Sequence, residues 1–242
     1  MSEQKIFRAA MIVIGNEILS GRTQDKNIQY VAQKLNDKGI RLSEVRVVPD
    51  IDDEIVHAVQ ALSEKYDYVF TSGGIGPTHD DITADNVARA FNVGISQNEE
   101  AYKILLDYYG EGELTDARLR MARIPVGASL IPNPVSAAPG FNIENVYVMA
   151  GVPKIMQSMV DYIVPSLVAG APLLTRTVET SLYESELAEG LGAIQDQYPD
   201  LDIGSYPGYG PTKSSVSVVL RGIDQSQLDR AAQDVEAFIA SI

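Results

Sequence analysis

Residues 68–83 constrain this chain most. Tyr68-Val69-Phe70 is a short apolar run that leads into Thr71-Ser72-Gly73-Gly74-Ile75-Gly76-Pro77-Thr78-His79-Asp80-Asp81-Ile82-Thr83. A buried strand, a glycine turn and then a helix bring backbone N–H groups close to an anion. Asp80 and Asp81 sit badly beside a bare phosphate, because like charges repel. They fit a phosphate site that also holds a divalent cation. Taken alone, the glycine turn is equally compatible with a plain tight connection, and the two acids with a helix cap.

The surrounding pattern places this turn in a sheet. Phe7 to Ile14 is an apolar run broken only by Arg8, which predicts a strand buried on both faces. Ile28, Val31, Ala32 and Leu35 share one face of a helix over 27–38, stopped by Gly39. A strand over 40–48 and a helix over 52–65, with Asp52 as its cap, follow. A third strand spans 67–71, helices span 83–91, 98–109 and 116–123, a fourth strand spans 146–149, and a helix begins at Pro153. Strands alternating with helices predict an α/β fold, a doubly wound and mostly parallel sheet. In such sheets ligands bind beyond the carboxyl ends of the strands. Four loops are expected at that edge: Gly15-Asn16-Glu17, Pro49-Asp50, the 72–81 turn and Gly151-Val152-Pro153.

Around Ala169-Gly170-Ala171-Pro172 the pattern changes, so a boundary is placed there, with domains over 1–170 and 171–242. Strands over 173–180, 201–206 and 214–220 and helices over 184–197 and 225–240 predict a small α+β unit of order β-α-β-β-α. Such a unit can suggest RNA binding, but this one has no Gly-x-x-Gly clamp and no basic face. Its Gly204-Ser205-Tyr206-Pro207-Gly208-Tyr209-Gly210 stretch reads as a loop for oligomer contact or for covering the site.

Charge and composition narrow the partners. The net charge of −14 repels nucleic-acid phosphates, so no polynucleotide partner is expected. A hydrophobic content of 45% supports a sizeable core rather than disorder. With no cysteine and two histidines, disulfides, cysteine nucleophiles and zinc are disfavoured, and a hard cation bound by oxygen is expected. No signal-like or membrane-length apolar run is seen, so the chain reads as cytoplasmic, with no membrane partner.

Individual residues carry competing readings. Glu17 can orient a ribose, a ring nitrogen or a metal-bound water, or can be a solvated turn residue. Asp50 reads as a site acid or as a first-turn acid of the next helix. His79 reads as a phosphate contact or as idle, and Asp25 and Asn27 as caps. The 131–140 loop, stiffened by Pro132, Pro134 and Pro139, reads as a connector or a ligand wall, with Asn133 presenting an amide. Lys154 stands at a helix start against the dipole preference, which points it toward phosphate. Ser72 and Ser136 have no histidine partner, and Gly-x-Ser-x-Gly, P-loop and Gly-x-Gly-x-x-Gly motifs are absent.

Together, Ile14-Gly15-Asn16-Glu17-Ile18-Leu19-Ser20-Gly21, Thr71 to Thr83, Pro132-Asn133-Pro134 with Ala138-Pro139-Gly140, and Gly151-Val152-Pro153 resemble the N-terminal domain of the competence/damage-inducible protein A (CinA) family. That domain belongs to the molybdopterin-binding (MoCF) superfamily, which includes molybdopterin adenylyltransferases. The resemblance covers roughly 6–168. The tail, including Ile203 to Pro207, is similar to the segment that follows this domain in CinA-type proteins and in eukaryotic FAD synthases.

The resemblance implies a molybdopterin-binding-like fold in a homo-oligomer, a dimer or trimer, with a nucleotide or pterin site at the glycine turn. It implies that Asp81 is functional, with Asp50 as a second acid. It implies metal-dependent cleavage of ADP-ribose- or FAD-like dinucleotides, with magnesium, manganese or cobalt. The amidohydrolase domain of full-length CinA is not expected. The family's usual proline before Gly151 is Ala150 here, and its Gly-Thr after Val135 is Ser136-Ala137. The expected catalytic set is Asp81, Asp50 and Asp80, with Asp81 and Asp80 on the metal. The expected substrate set is Gly15, Asn16, Glu17, Thr71, Ser72, Gly73, Gly74, Gly76, Pro77, Thr78, Asn133, Pro134, Gly151, Pro153 and Lys154. The alternatives are a non-catalytic pterin or nucleotide binder and a molybdopterin adenylyltransferase.

Overall fold

The structure is a computed structural model and describes residues 6–208 and 216–242. The chain start before Ile6, Tyr209-Gly210 of the tail loop and the Ser214 start of the last predicted strand lie outside the described residues. The chain divides into two compact units, Met1–Gly170 and Ala171–Ile242.

The first unit runs β1 (Phe7–Ile14), α1 (Asn16–Leu19), α2 (Asn27–Asp37), β2 (Ile40–Val48), α3 (Asp52–Lys65), β3 (Tyr68–Ser72) and α4 (Thr83–Ala90). It continues with β4 (Ile95–Gln97), α5 (Glu99–Tyr109), α6 (Asp116–Leu119), a 3-10 turn (Arg120–Ala122), β5 (Arg123–Pro125), β6 (Ser129–Ile131), β7 (Gly140–Ile143), β8 (Val146–Met149) and α7 (Pro153–Ile163). The main sheet has the order β2-β1-β3-β8-β7-β6. The first four strands are parallel, and β7 and β6 run antiparallel at one side. The sheet is therefore mostly parallel, as expected.

The alternation of β1 explains why helices cover both faces. Ala10, Ile12 and Ile14 enter one core with Ile55, Val59 and Leu62 of α3 and Val87 of α4. Ala9, Met11 and Val13 enter the opposite core with Val31 and Leu35 of α2 and Met156, Met159 and Val160 of α7. A strand in the middle of a parallel sheet needs apolar side chains at every position, because both faces are covered. The chain moves from β1 out to β2 and then back across to β3. The switch point lies between the ends of β1 and β3, where a crevice opens in folds of this kind.

Several elements differ from the sequence reading. The strands β4 to β7 span three or four residues each and show no readable period. Residues after Gly15 form the one-turn α1 rather than a loop. Asp52 is the first residue of α3, not its cap, and its Oδ1 accepts from the Asn86 amide at 2.7 Å, tying α3 to α4.

The second unit runs β9 (Leu174–Thr180), α8 (Glu184–Gln197), β10 (Asp202–Pro207), β11 (Val216–Gly222) and α9 (Gln225–Ser241). Its sheet is antiparallel, in the order β10-β11-β9. Burial alternates along β11, and its inward residues Val216, Val218 and Leu220 meet Leu187 and Leu191 of α8 and Leu228 and Val235 of α9. The strand expected over 201–206 is β10, and it takes in residues 204–207 of the stretch read as a loop.

Ile12 is fully buried in the first core. Ile12→Ala is expected to lower unfolding free energy by about 2–5 kcal/mol. Val45→Ala on the exposed side of β2 is expected to stay within about 0.5 kcal/mol. Urea denaturation of the two variants checks the contrast.

Candidate functional site

Four strand ends meet at the crevice, each tied by backbone hydrogen bonds. The Gly15 N–H donates to the Val48 carbonyl at 3.2 Å, joining the ends of β1 and β2. The Gly73 N–H donates to the Met149 carbonyl at 3.1 Å, joining the ends of β3 and β8. The turn between them passes hard against β1. A Cβ on Gly73 would lie 2.2 Å from the Ile14 carbonyl oxygen, at a φ of +112°. Gly74 follows at a φ of +69°, where a Cβ would meet the Thr83 hydroxyl at 2.1 Å. No residue with a side chain takes this path without moving backbone.

Thr83, fully buried at the start of α4, holds the turn from below. Its N–H donates to the Gly74 carbonyl at 3.0 Å and its hydroxyl to the Gly73 carbonyl at 2.9 Å. The N–H groups of Gly74, Ile75 and Gly76 have no protein partner among the described residues, whereas that of Gly73 is already used. Successive free N–H groups in a glycine turn form an anion-binding concavity.

The acids are positioned by their own neighbours. Asp81 Oδ2 accepts from the Thr78 N–H at 2.8 Å and the Thr78 hydroxyl at 2.6 Å, closing a turn over 78–81. Neither Asp80 nor Asp81 caps α4, whose N-cap is Ile82 with no side-chain bond. Asp50 Oδ2 accepts from the Asn16 N–H at 2.9 Å, which fixes the carboxylate beside α1. The neighbouring Thr78 side chain, the backbone N–H of Asp80 and nearby His79 hold the Asp80 carboxyl below the usual range.

These loops enclose a cavity of about 770 Å³. Of the expected residues, Gly15, Glu17, Asp50, Gly73, Gly74, Gly76, Pro77, Asp80, Asp81, Asn133, Gly151 and Pro153 line it. Asn16, Thr71, Ser72, Thr78, Pro134 and Lys154 do not. Thr71 and Ser72 lie in the strand interior, and Ser72 Oγ accepts from the Asn27 amide at 2.7 Å. The same amide donates to the Gly151 carbonyl at 2.8 Å, so buried Asn27 couples β3 to the 151–153 loop rather than capping α2. Capping falls to Asp25, which accepts from the N–H groups of Asn27 and Ile28. Thr78 and Asn16 act through the acids they hold, and Lys154 is exposed on α7 outside the cavity wall.

Asn133 reaches the wall, but its amide is used within its own loop. It donates to Ser136 Oγ and the Ala138 carbonyl, both at 2.8 Å, and accepts from the N–H groups of Val135 and Ser136. Ser136 thereby takes a closing role in the 133–138 loop, and Ala137 beside it stands at a φ of 66°. Tyr109, Arg118 and Met121 also line the cavity, though no motif pointed to them. They arrive from α5, α6 and the 3-10 turn that follows.

No group of three His, Cys, Asp or Glu residues among the described residues is arranged to hold a metal. The acids on the wall therefore do not form a preformed protein cage. Their chemistry fits an ion of the magnesium type, which takes one or two carboxylates and completes its shell with water and substrate phosphates.

Gly73→Ala is expected to cost more than about 2 kcal/mol of stability. Gly112→Ala, where an added Cβ meets nothing within 4 Å, is expected to leave stability nearly unchanged. Thermal melts of both variants check this.

Comparison with known proteins agrees with the fold. Residues 10–169 match the family described as probable molybdopterin binding domain, and residues 172–241 match the FAD synthase middle domain. A protein from Archaeoglobus fulgidus is 33% identical over 229 residues, covering 95% of this chain and 96% of that protein. Another from Sulfurisphaera tokodaii is 32% identical over 238 residues, covering 93% and 90%. The crystal structure of the protein CinA with unknown function from Thermoplasma acidophilum covers 66% of this chain and 98% of its own, at 35% identity and a TM-score of 0.64. This chain belongs to the molybdopterin-binding domain family, with a segment similar to the FAD synthase middle domain following that domain.

Proposed function

We propose that the cavity hydrolyses the phosphoanhydride of an ADP-ribose- or FAD-like dinucleotide, with magnesium, manganese or cobalt as the cation. The observation that carries this reading is one wall bearing three free N–H groups, at Gly74, Ile75 and Gly76, together with the carboxylates of Asp50, Asp80 and Asp81. Charge stabilisation at phosphoryl oxygens and activation of water are the two needs of phosphoanhydride hydrolysis. The match of the tail to a segment of FAD synthase supports a dinucleotide as substrate.

In this reading the three N–H groups bind non-bridging oxygens of the diphosphate and stabilise the charge that grows there. Asp81, held by Thr78, and exposed Asp80 are the metal ligands. The bound cation supplies charge neutralisation on the diphosphate. Asp50, held by Asn16, takes the proton from the attacking water. The new P–O bond forms as the bridging P–O bond breaks, and ADP-ribose gives AMP and ribose 5-phosphate. Gly15 and Gly151 keep the walls low, so that the diphosphate reaches the turn.

A second reading, tight binding of a pterin or nucleotide without cleavage, is supported by the match of residues 10–169 to the probable molybdopterin binding domain. Adenylyl transfer to molybdopterin uses the same N–H groups with a different acceptor. Asp81→Asn is expected to lower kcat for AMP release at least about 100-fold. Chelation of the metal is expected to abolish release, and added magnesium to restore it. Unchanged turnover in Asp81→Asn removes Asp81 from the mechanism.

A further inference from the structure

The cavity wall is unbalanced in charge. Glu17, Asp50, Asp80 and Asp81 line it, against a single cationic side chain among the described residues, Arg118. An anionic ligand entering such a site needs that cation. Guanidinium stays protonated throughout the working range and pairs with phosphate through parallel N–H bonds.

Arg118 is only partly engaged by its neighbours in the chain. Its Nη1 donates to the Glu113 carbonyl and lies 3.3 Å from Glu113 Oε2. One face of the guanidinium covers the Tyr109 ring, with Cζ 4.2 Å from the ring centroid. Its Nε and Nη2 have no protein partner among the described residues. The Glu113 side chain is 75% exposed, and an ion pair this wet exchanges readily for a stronger anion. Tyr109 holds the plane of the guanidinium while the partner changes.

We propose that Arg118 is the phosphate-recognising residue of this cavity, and that the Glu113 carboxylate occupies its place until a phosphorylated ligand displaces it. This rests on the dinucleotide reading above and makes it more specific. The cation selects ligands carrying a diphosphate over their nucleosides, and Glu113 sets how tightly they bind.

The two partners give opposite predictions. If the pair only ties the 110–118 segment together, Arg118→Gln and Glu113→Gln shift binding in the same direction, Arg118→Gln by more, since it also loses the bond to the Glu113 carbonyl and the Tyr109 contact. If Arg118 receives phosphate, Arg118→Gln weakens binding by about tenfold or more, as expected for losing a charged hydrogen bond. Glu113→Gln removes the competitor and tightens binding about two- to fivefold. The measurement is calorimetric titration of the full chain with the α,β-methylene analogue of ADP-ribose in magnesium, beside adenosine as a ligand without phosphate. Thermal melts establish that both variants are folded.

Opposite shifts with the analogue, and little change with adenosine, support the assignment. Shifts in the same direction, no shift, or equal weakening toward adenosine overturn it while leaving the dinucleotide reading in place. Failure of the unsubstituted chain to bind the analogue overturns the dinucleotide reading, and the assignment with it.

Discussion

The site depends on a contact between backbones that leaves no room for a side chain. The ends of β1 and β3 lie side by side, and the chain leaving β3 must turn across the last carbonyl of β1. Only glycine at 73 passes at 2.2 Å from that oxygen, counted to where a Cβ would stand, and glycine at 74 completes the turn against Thr83. Everything chemical follows from that crossing. The N–H groups of the next three residues, Gly74, Ile75 and Gly76, have no protein partner among the described residues, and these residues line the crevice. Thr83 and the Met149 carbonyl hold the turn in that shape, so the donors are oriented before any ligand arrives. Preorganised donors of this kind need no rearrangement when charge develops.

A second layer of hydrogen bonds decides what each acid can do. Asp81 and Asp50 each have one carboxylate oxygen committed to a backbone N–H, leaving the other directed by a fixed frame. Asn27 performs a related service from beneath, joining Ser72 to the 151–153 loop. Asn16, Asn27, Ser72 and Thr78 shape the cavity without belonging to its wall. The departures at Ser136 and Ala150 also become intelligible in part. Ser136 closes the 133–138 loop through Asn133, and Ala150 lines the cavity as a small apolar residue that packs against the α2–α7 core.

Much of this was legible from residues alone, for a physical reason. Long buried strands such as β1 and long amphipathic helices such as α2 and α3 repeat their apolar pattern often enough to be read. The glycine turn announces itself because only glycine tolerates its geometry. The strands β4 to β7 did not announce themselves, since three or four residues carry no period. The resemblance already set Asp81 apart from Asp80, but sequence does not show that Thr78 closes a turn onto Asp81. Asn133 read as a ligand amide, but sequence cannot show that its own loop consumes every bond. Tyr109, Arg118 and Met121 reach the cavity through tertiary packing of α5 and the 3-10 turn into the first core, and no local motif marks such an arrival.

The proposed chemistry is the cleavage of a phosphoanhydride by water in this cavity. The most direct measurement is incubation of the full chain with ADP-ribose and magnesium in heavy-oxygen water, followed by mass spectrometry of the products. AMP and ribose 5-phosphate are expected in equal amounts, with one heavy oxygen incorporated into a phosphate of one product. Intact, unlabelled ADP-ribose recovered from a stoichiometric complex would contradict it and would make the cavity a binding site.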